Sequence, residues 1–284
     1  MLTLGELTVT PLPDLPQFDL PLADAFPQAD LSALPDWLGP RDISDTHMHL
    51  TVRSWLLRLK GRTILLDSCV GAGKLRARWP AWHQRDGSEF RAALAAAGVA
   101  PEDIDLVVFT HLHPDHVGWN TVWDGVRWVP TFPNARYIVG RHEFEFFQAL
   151  AREDPAIAYG AITDSVLPVA DAGQMDLVED GAEVAEGLTL MPAHGHSPGH
   201  MVLRADHGRG AVFCGDVLHG PLQLAQPALS SGFCSDPDQA RASRTALLEE
   251  LADTETLLIP GHFLDPGYCH VVRDGAAFRP VWPD

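Results

Sequence analysis

His111-Leu112-His113-Pro114-Asp115-His116, set directly behind the apolar run Asp105–Thr110 (DLVVFT), is the stretch that decides how this chain reads. A near-continuous apolar run of that length is a buried strand. A loop at a strand end can turn successive side chains inward, whereas a helix spreads them around its axis. Four side chains able to bind a metal fall within six residues. Imidazole nitrogen and carboxylate oxygen suit zinc and its transition-metal neighbours. The competing reading is a cluster of solvated surface histidines or a pair capping a helix; the density of the spacing favours a metal loop.

Three more elements repeat the arrangement downstream. Gly195-His196-Ser197-Pro198-Gly199-His200 places a histidine in a Gly/Pro turn between two short strands. Cys214-Gly215-Asp216 puts a carboxylate at the end of the strand AVFC, and Pro260-Gly261-His262 a histidine at the end of TLLI. Each candidate ligand follows an apolar strand and sits beside glycine, where backbone can approach closely. Singly, each is more often a turn or capping residue than a ligand. Together with the first cluster they form a constellation.

Around these motifs the chain alternates short strands with helices. Strands are expected at 49–59, 63–67, 105–110, 188–192, 201–205, 211–214 and 256–259, with hairpins around Asp124-Gly125 and Asp274-Gly275. Helices are expected over 88–97, capped by Ser88 and stopped at Gly98, over 141–151, and over 237–252 behind Asp236. Many strands pair locally, so a mixed sheet architecture is expected and a plain doubly wound sheet is not. Residues 1–41 read as a proline-rich N-terminal arm (Pro11, Pro13, Pro16, Pro21, Pro27, Pro35, Pro40) and 42–284 as one domain. The prolines argue against regular helix or interior strand in the arm. Its large apolar residues argue for an ordered segment, packed on the body or on a second subunit as a homodimer contact.

Composition narrows the function. Thirty-eight acidic against 20 basic side chains give a charge of −18, which leaves little basic surface for nucleic acid. Four cysteines without a CxxC make no disulfide framework. No apolar segment long enough for a membrane span and no basic leader is visible, so a cytoplasmic protein with no membrane partner is expected.

The set HLHPDH … GHSPGH … GD … PGH resembles the metallo-β-lactamase superfamily. The runs HVGWN, RWVPTFPNARYIV and GDVLHGPLQL are similar to its bacterial branch of N-acyl-homoserine lactonase-like and methyl parathion hydrolase-like proteins. The resemblance implies an α/β fold, α+β by some schemes: a four-layer αβ/βα sandwich of mixed sheets. It implies two divalent metal ions, zinc foremost with Mn, Fe or Co as alternatives. His111, His113 and His196 would hold one, Asp115, His116 and His262 the other, and Asp216 would bridge them. His200 matches a position that is not a ligand in the family pattern.

The resemblance thus implies a hydrolase in which the metals would lower the pKa of a bound water toward about 7, and the resulting bridging hydroxide would attack a carboxylic ester, a lactone foremost, with Asp115 orienting the nucleophile. The family's lactonases also place a loop tyrosine near the leaving group; among Tyr137, Tyr159 and Tyr268, Tyr159 is the candidate. His219, three residues after Asp216, can reach metal or substrate, or serve as a loop cap. Trp119 and Phe263 follow ligand segments and could wall a substrate pocket or pack beneath it. Cys214 reads as a small buried residue. Phosphotriester hydrolysis is the second reading, thiol oxidation at a single iron a further family option, and a metal-stabilised binding module the non-enzymatic one.

Overall fold

The computed structural model describes residues 1–32 and 34–283. The chain forms two compact units, each discontinuous in sequence: Met1–Leu15 with Val52–Asp180, and Pro16–Thr51 with Gly181–Asp284.

In the first unit the strands are β1 (Leu2–Leu4), β2 (Leu7–Pro21), β3 (His47–Leu59), β4 (Arg62–Leu66), β5 (Leu106–Val108), β6 (Thr121–Trp123), β7 (Trp128–Pro130), β8 (Arg136–Gly140) and β9 (Met175–Val178), with β2 and β3 continuing past its limits. One sheet has the order β1-β2-β3-β4-β5-β8-β9; β6 and β7 form a separate hairpin. Pairing is antiparallel for β1/β2 and β3/β4 and parallel from β4 through β5 and β8 to β9. The β3–β4 hairpin closes through Lys60 and Gly61, both at positive φ (48° and 81°), the twist a two-residue turn needs. β5 is buried at all three positions, as its apolar run requires.

The N-terminal arm departs from expectation. Leu7–Pro21 is a 15-residue strand despite four prolines. Residues two apart present their N–H groups to the same edge, so Pro11 and Pro13 leave their gaps on one side. The β1 ladder covers only Leu7–Val9, so beyond it one edge of β2 needs no donors for that partner. Leu7, Val9 and Leu12 bury their side chains and hold the strand in place.

The second unit carries β10 (Ala182–Ala185), β11 (Leu188–Pro192), β12 (Met201–Ala205), β13 (Ala211–Gly215) and β14 (Leu257–Pro260) in that order in one sheet. All pairs are antiparallel except β13/β14. A hairpin, β15 (His270–Asp274) and β16 (Ala277–Val281), follows. The helix Pro237–Leu251 buries Leu247, Leu248 and Leu251 in a core with Val212, Leu258 and Phe263. The Asp236 carboxylate accepts from the Asp238 and Gln239 amides, the expected cap. In the first unit, helix Ser88–Ala96 is capped one residue earlier than anticipated: Gly87 (φ 67°) is its N-cap, and Ser88 instead donates through N and Oγ to Asp86. The helix Arg141–Glu153 runs two residues beyond its expected end. Among the described residues no helix is long and apolar enough to cross a membrane.

Candidate metal centre

Each unit has a cluster of ligand-type side chains at strand ends. In the first, β5 runs through Phe109 and Thr110 into His111, and Pro114 opens the short helix Pro114–Val117 that carries Asp115 and His116. His111 and His116 are buried with ring centroids 4.1 Å apart, and His113 lies 4.6 Å from His111. The loop is tied down from below. The Leu112 amide donates to the buried Glu143 carboxylate (2.9 Å), and the Ser68 amide to the His116 carbonyl (2.6 Å).

Asp67, just after β4, fixes the chemistry of this cluster. One oxygen accepts from the Thr110 amide; the other accepts from the Thr110 hydroxyl and from His116 Nδ1, each at 2.8 Å. With its proton given to Asp67, Thr110 Oγ1 can only accept from His111 Nδ1, 3.0 Å away. One carboxylate therefore places protons on Nδ1 of both histidines and leaves Nε2 of each with a lone pair. That is the orientation a carboxylate imposes on metal-binding imidazoles.

The second unit gathers its donors on Asp216, which follows β13. His196 Nε2 lies 3.2 Å from Asp216 Oδ2, and His262 Nε2 lies 3.0 Å from Oδ1. His262 Nδ1 donates to the Thr51 carbonyl at 2.9 Å. Its Nε2 is then an acceptor facing a carboxylate acceptor, a repulsive contact that a cation relieves. Buried imidazoles and a carboxylate aimed at one another in this way fit divalent transition-metal ions. Cys234 Sγ lies 3.7 Å from His196 Nδ1, and burial pushes its thiol up to about 11, so it meets His196 as the neutral S–H. Nothing in the cysteine spacing signalled that contact.

The metallo-β-lactamase superfamily model matches residues 49–262, an interval containing every one of these donors. The chain belongs to the metallo-β-lactamase superfamily. The superfamily fold is matched over the whole chain by AidC, a dizinc quorum-quenching lactonase in complex with N-hexanoyl-L-homoserine (TM-score 0.82, 22% identity, 96% of that chain), and by the hydrolase AbOPH (TM-score 0.80, 21% identity, 97% of that chain). N-acyl homoserine lactonase AiiA of Bacillus thuringiensis subsp. kurstaki is 26% identical over 174 residues, 61% of each chain. AiiB of Agrobacterium fabrum is 28% identical over 215 residues, 68% of this chain and 72% of that one. The match thus spans about 61% of the length of the Bacillus relatives.

Other anticipated residues fall in different surroundings within this superfamily fold. His219 is buried; Nε2 approaches Asp216 Oδ2 to 3.3 Å, yet neither ring nitrogen has a hydrogen-bond partner among the described residues. Its amide is held by Gln223 Oε1 (2.7 Å) and its ring edge meets Phe26. Tyr159 is 42% exposed, at φ 54°, with its carbonyl accepting from Arg76. Trp119 and Phe263 are packing residues: Trp119 stacks on Phe90 at 4.9 Å under the Arg91 guanidinium, and Phe263 is wholly inside the second core. Large rings beside a ligand loop gain more by filling the interior than by walling a wet pocket. Cys214 is buried, as expected, and burial raises its thiol far above the reactive range. His49 pairs with Asp19 at 2.7 Å and His47 with Thr46 at 2.8 Å.

Proposed function

We propose that the chain is a hydrolase using two divalent cations to open a carboxylic ester, a lactone foremost. His111, His113 and His196 would hold one cation, Asp115, His116 and His262 the other, with Asp216 shared. The observation that carries the reading is the set of imidazoles whose Nδ1 protons are already committed, two through Asp67 and one to the Thr51 carbonyl, leaving Nε2 lone pairs for metal. The N-acyl homoserine lactonases among the relatives support a lactone over other esters, and the dizinc neighbour supports zinc.

When bound, the cations supply an acidified water and polarise the substrate's carbonyl oxygen. Asp115, with 14% of its side chain accessible, would orient the attacking water at its carboxylate. For the group near the departing alkoxide, His219 is favoured over Tyr159, because it is buried beside Asp216 and its Nε2 makes no hydrogen bond among the described residues. A proton at that nitrogen would go to the departing alkoxide.

Metal analysis followed by a panel of lactones, aryl esters and phosphotriesters tests the reading. Two metals per chain and lactone opening are expected. Turnover of phosphotriesters alone would replace the substrate assignment, and one iron per chain would point to thiol oxidation. A fully metallated chain inert toward the whole panel would leave a binding module. Asp216→Ala and His116→Ala should each lower the stoichiometry below two, and unchanged loading in both would refute the ligand map. The proposal extends to a cytoplasmic homodimer through residues 1–41, for which light scattering should give twice the chain mass.

A further inference from the structure

His200 does not belong to the proposed ligand set, yet it is completely buried and touches that set at a defined atom. Its Nε2 accepts the Asp216 amide proton at 3.1 Å. The β12–β13 ladder explains the position. Its register, Leu203 opposite Phe213 and Ala205 opposite Ala211, continued to the strand ends sets His200 opposite Asp216. There the imidazole takes the place that a backbone carbonyl occupies within a ladder.

Two further features turn Asp216 at this point. The β13–β14 register shifts between Phe213 and Gly215, a bulge of the kind that re-aims a side chain. Gly215 then takes φ 50°. Where the ladder bends, the buried Asp216 amide donates to the His200 ring. The same residue closes the His196 turn: its amide donates to Ser197 O (3.3 Å) and its carbonyl accepts from Ala193 N (2.9 Å). The rings of His196 and His200 meet edge to face at 5.8 Å. One side chain thus joins the turn that presents His196 to the turn that presents Asp216.

We infer that His200 is a positioning residue for metal binding: its ring sets the relation between His196 and Asp216, the donor pair 3.2 Å apart. The inference rests on the two-metal reading. It assigns a function to the second histidine of GHSPGH, which a buried core histidine would not have.

Three variants separate the roles. His200→Leu fills the volume without an acceptor; His200→Gln can return an amide oxygen near the Nε2 position; His200→Asn places its oxygen too short to reach. Zinc binding by calorimetry, metal content after desalting, and the visible spectrum of the cobalt-loaded protein are read alongside the melting temperature of the metal-free chain. His200→Leu and His200→Asn should weaken one zinc site about 10–100-fold and alter the cobalt bands, and His200→Gln should restore both. If His200→Leu does not fold, the Gln–Asn pair carries the same comparison. Parental zinc affinity and cobalt spectra in the Asn variant, or in a folded Leu variant, would overturn the positioning role. Failure of the parent chain itself to bind zinc or cobalt would overturn the two-metal reading instead.

Discussion

At the scale of single residues, Asp67 has the clearest role that spacing could not reveal. It lies 43 residues from Thr110 and 49 from His116, and a carboxylate one residue beyond a short strand looks like any turn aspartate. The candidate donors are legible in the sequence, because metal chemistry restricts residue type and the loop restricts spacing. Asp67→Ala should lower metal affinity about 10–100-fold, since both imidazoles lose the group that fixes their protons; calorimetric titration with parental affinity would refute that role. Lys74 supplies the pH dependence. Its amine is buried against the Trp128 ring (3.5 Å), donates to Thr121 Oγ1 (2.6 Å), and shares Asp164 with Arg76. Burial lowers it to about 7, only partly offset by Asp164. From about pH 7 to 10.5 the unfolded chain holds a proton that the folded one has shed, so this group's contribution to stability rises with pH across that window. Below it both states are protonated and the buried charge weighs fully on the fold. Relative to Lys74→Met, the parent should gain stability between pH 7 and 9, by at most about 1.4 kcal/mol per unit. A pH-independent difference in urea unfolding would exclude the mechanism.

At the scale of elements, apolar runs with clear punctuation were readable and weakly patterned segments were not. β5, β11 to β13 and the capped helix Pro237–Leu251 follow from local sequence. β9 and β10 end their sheets and are half-buried at nearly every position, so their apolar signal is faint. β8 is buried from Tyr137 to Gly140 yet follows a Pro-Asn turn and was not marked as a strand. β2 escapes its prolines' signal because the ladder with β1 stops at Val9, so the rule against proline in interior strands does not bind beyond it. Beneath the metal loop, Gly118 shows a constraint hidden from spacing: a Cβ there would stand 1.8 Å from the Val70 carbonyl oxygen. The Gly118 amide also donates to Cys69 O (2.7 Å), locking the two segments together. Gly118→Ala must displace backbone and should destabilise the chain by about 1–3 kcal/mol in denaturant unfolding. A loss under 0.5 kcal/mol would mean that the two segments part easily.

At the scale of the whole molecule, bound metal should act as a folding ligand. At about 100 times its dissociation constant a cation adds about 2.7 kcal/mol per site, so chelation should lower the melting temperature and re-addition restore it. An identical melting curve with and without chelator would show that the donors contribute nothing to stability through metal. The division into Met1–Leu15 with Val52–Asp180 and Pro16–Thr51 with Gly181–Asp284 was not legible, because no linker composition marks it: the chain crosses inside β2 and inside β3. By itself the sequence determined the family and the mixed α/β character and marked the candidate donor residues, since each depends on local patterns of residue type. Only the tertiary structure decided which protons those donors carry, that Trp119 and Phe263 pack inside, and that His200 serves the Asp216 amide. Those outcomes depend on hydrogen bonds and packing between residues far apart in the chain, where spacing carries no information.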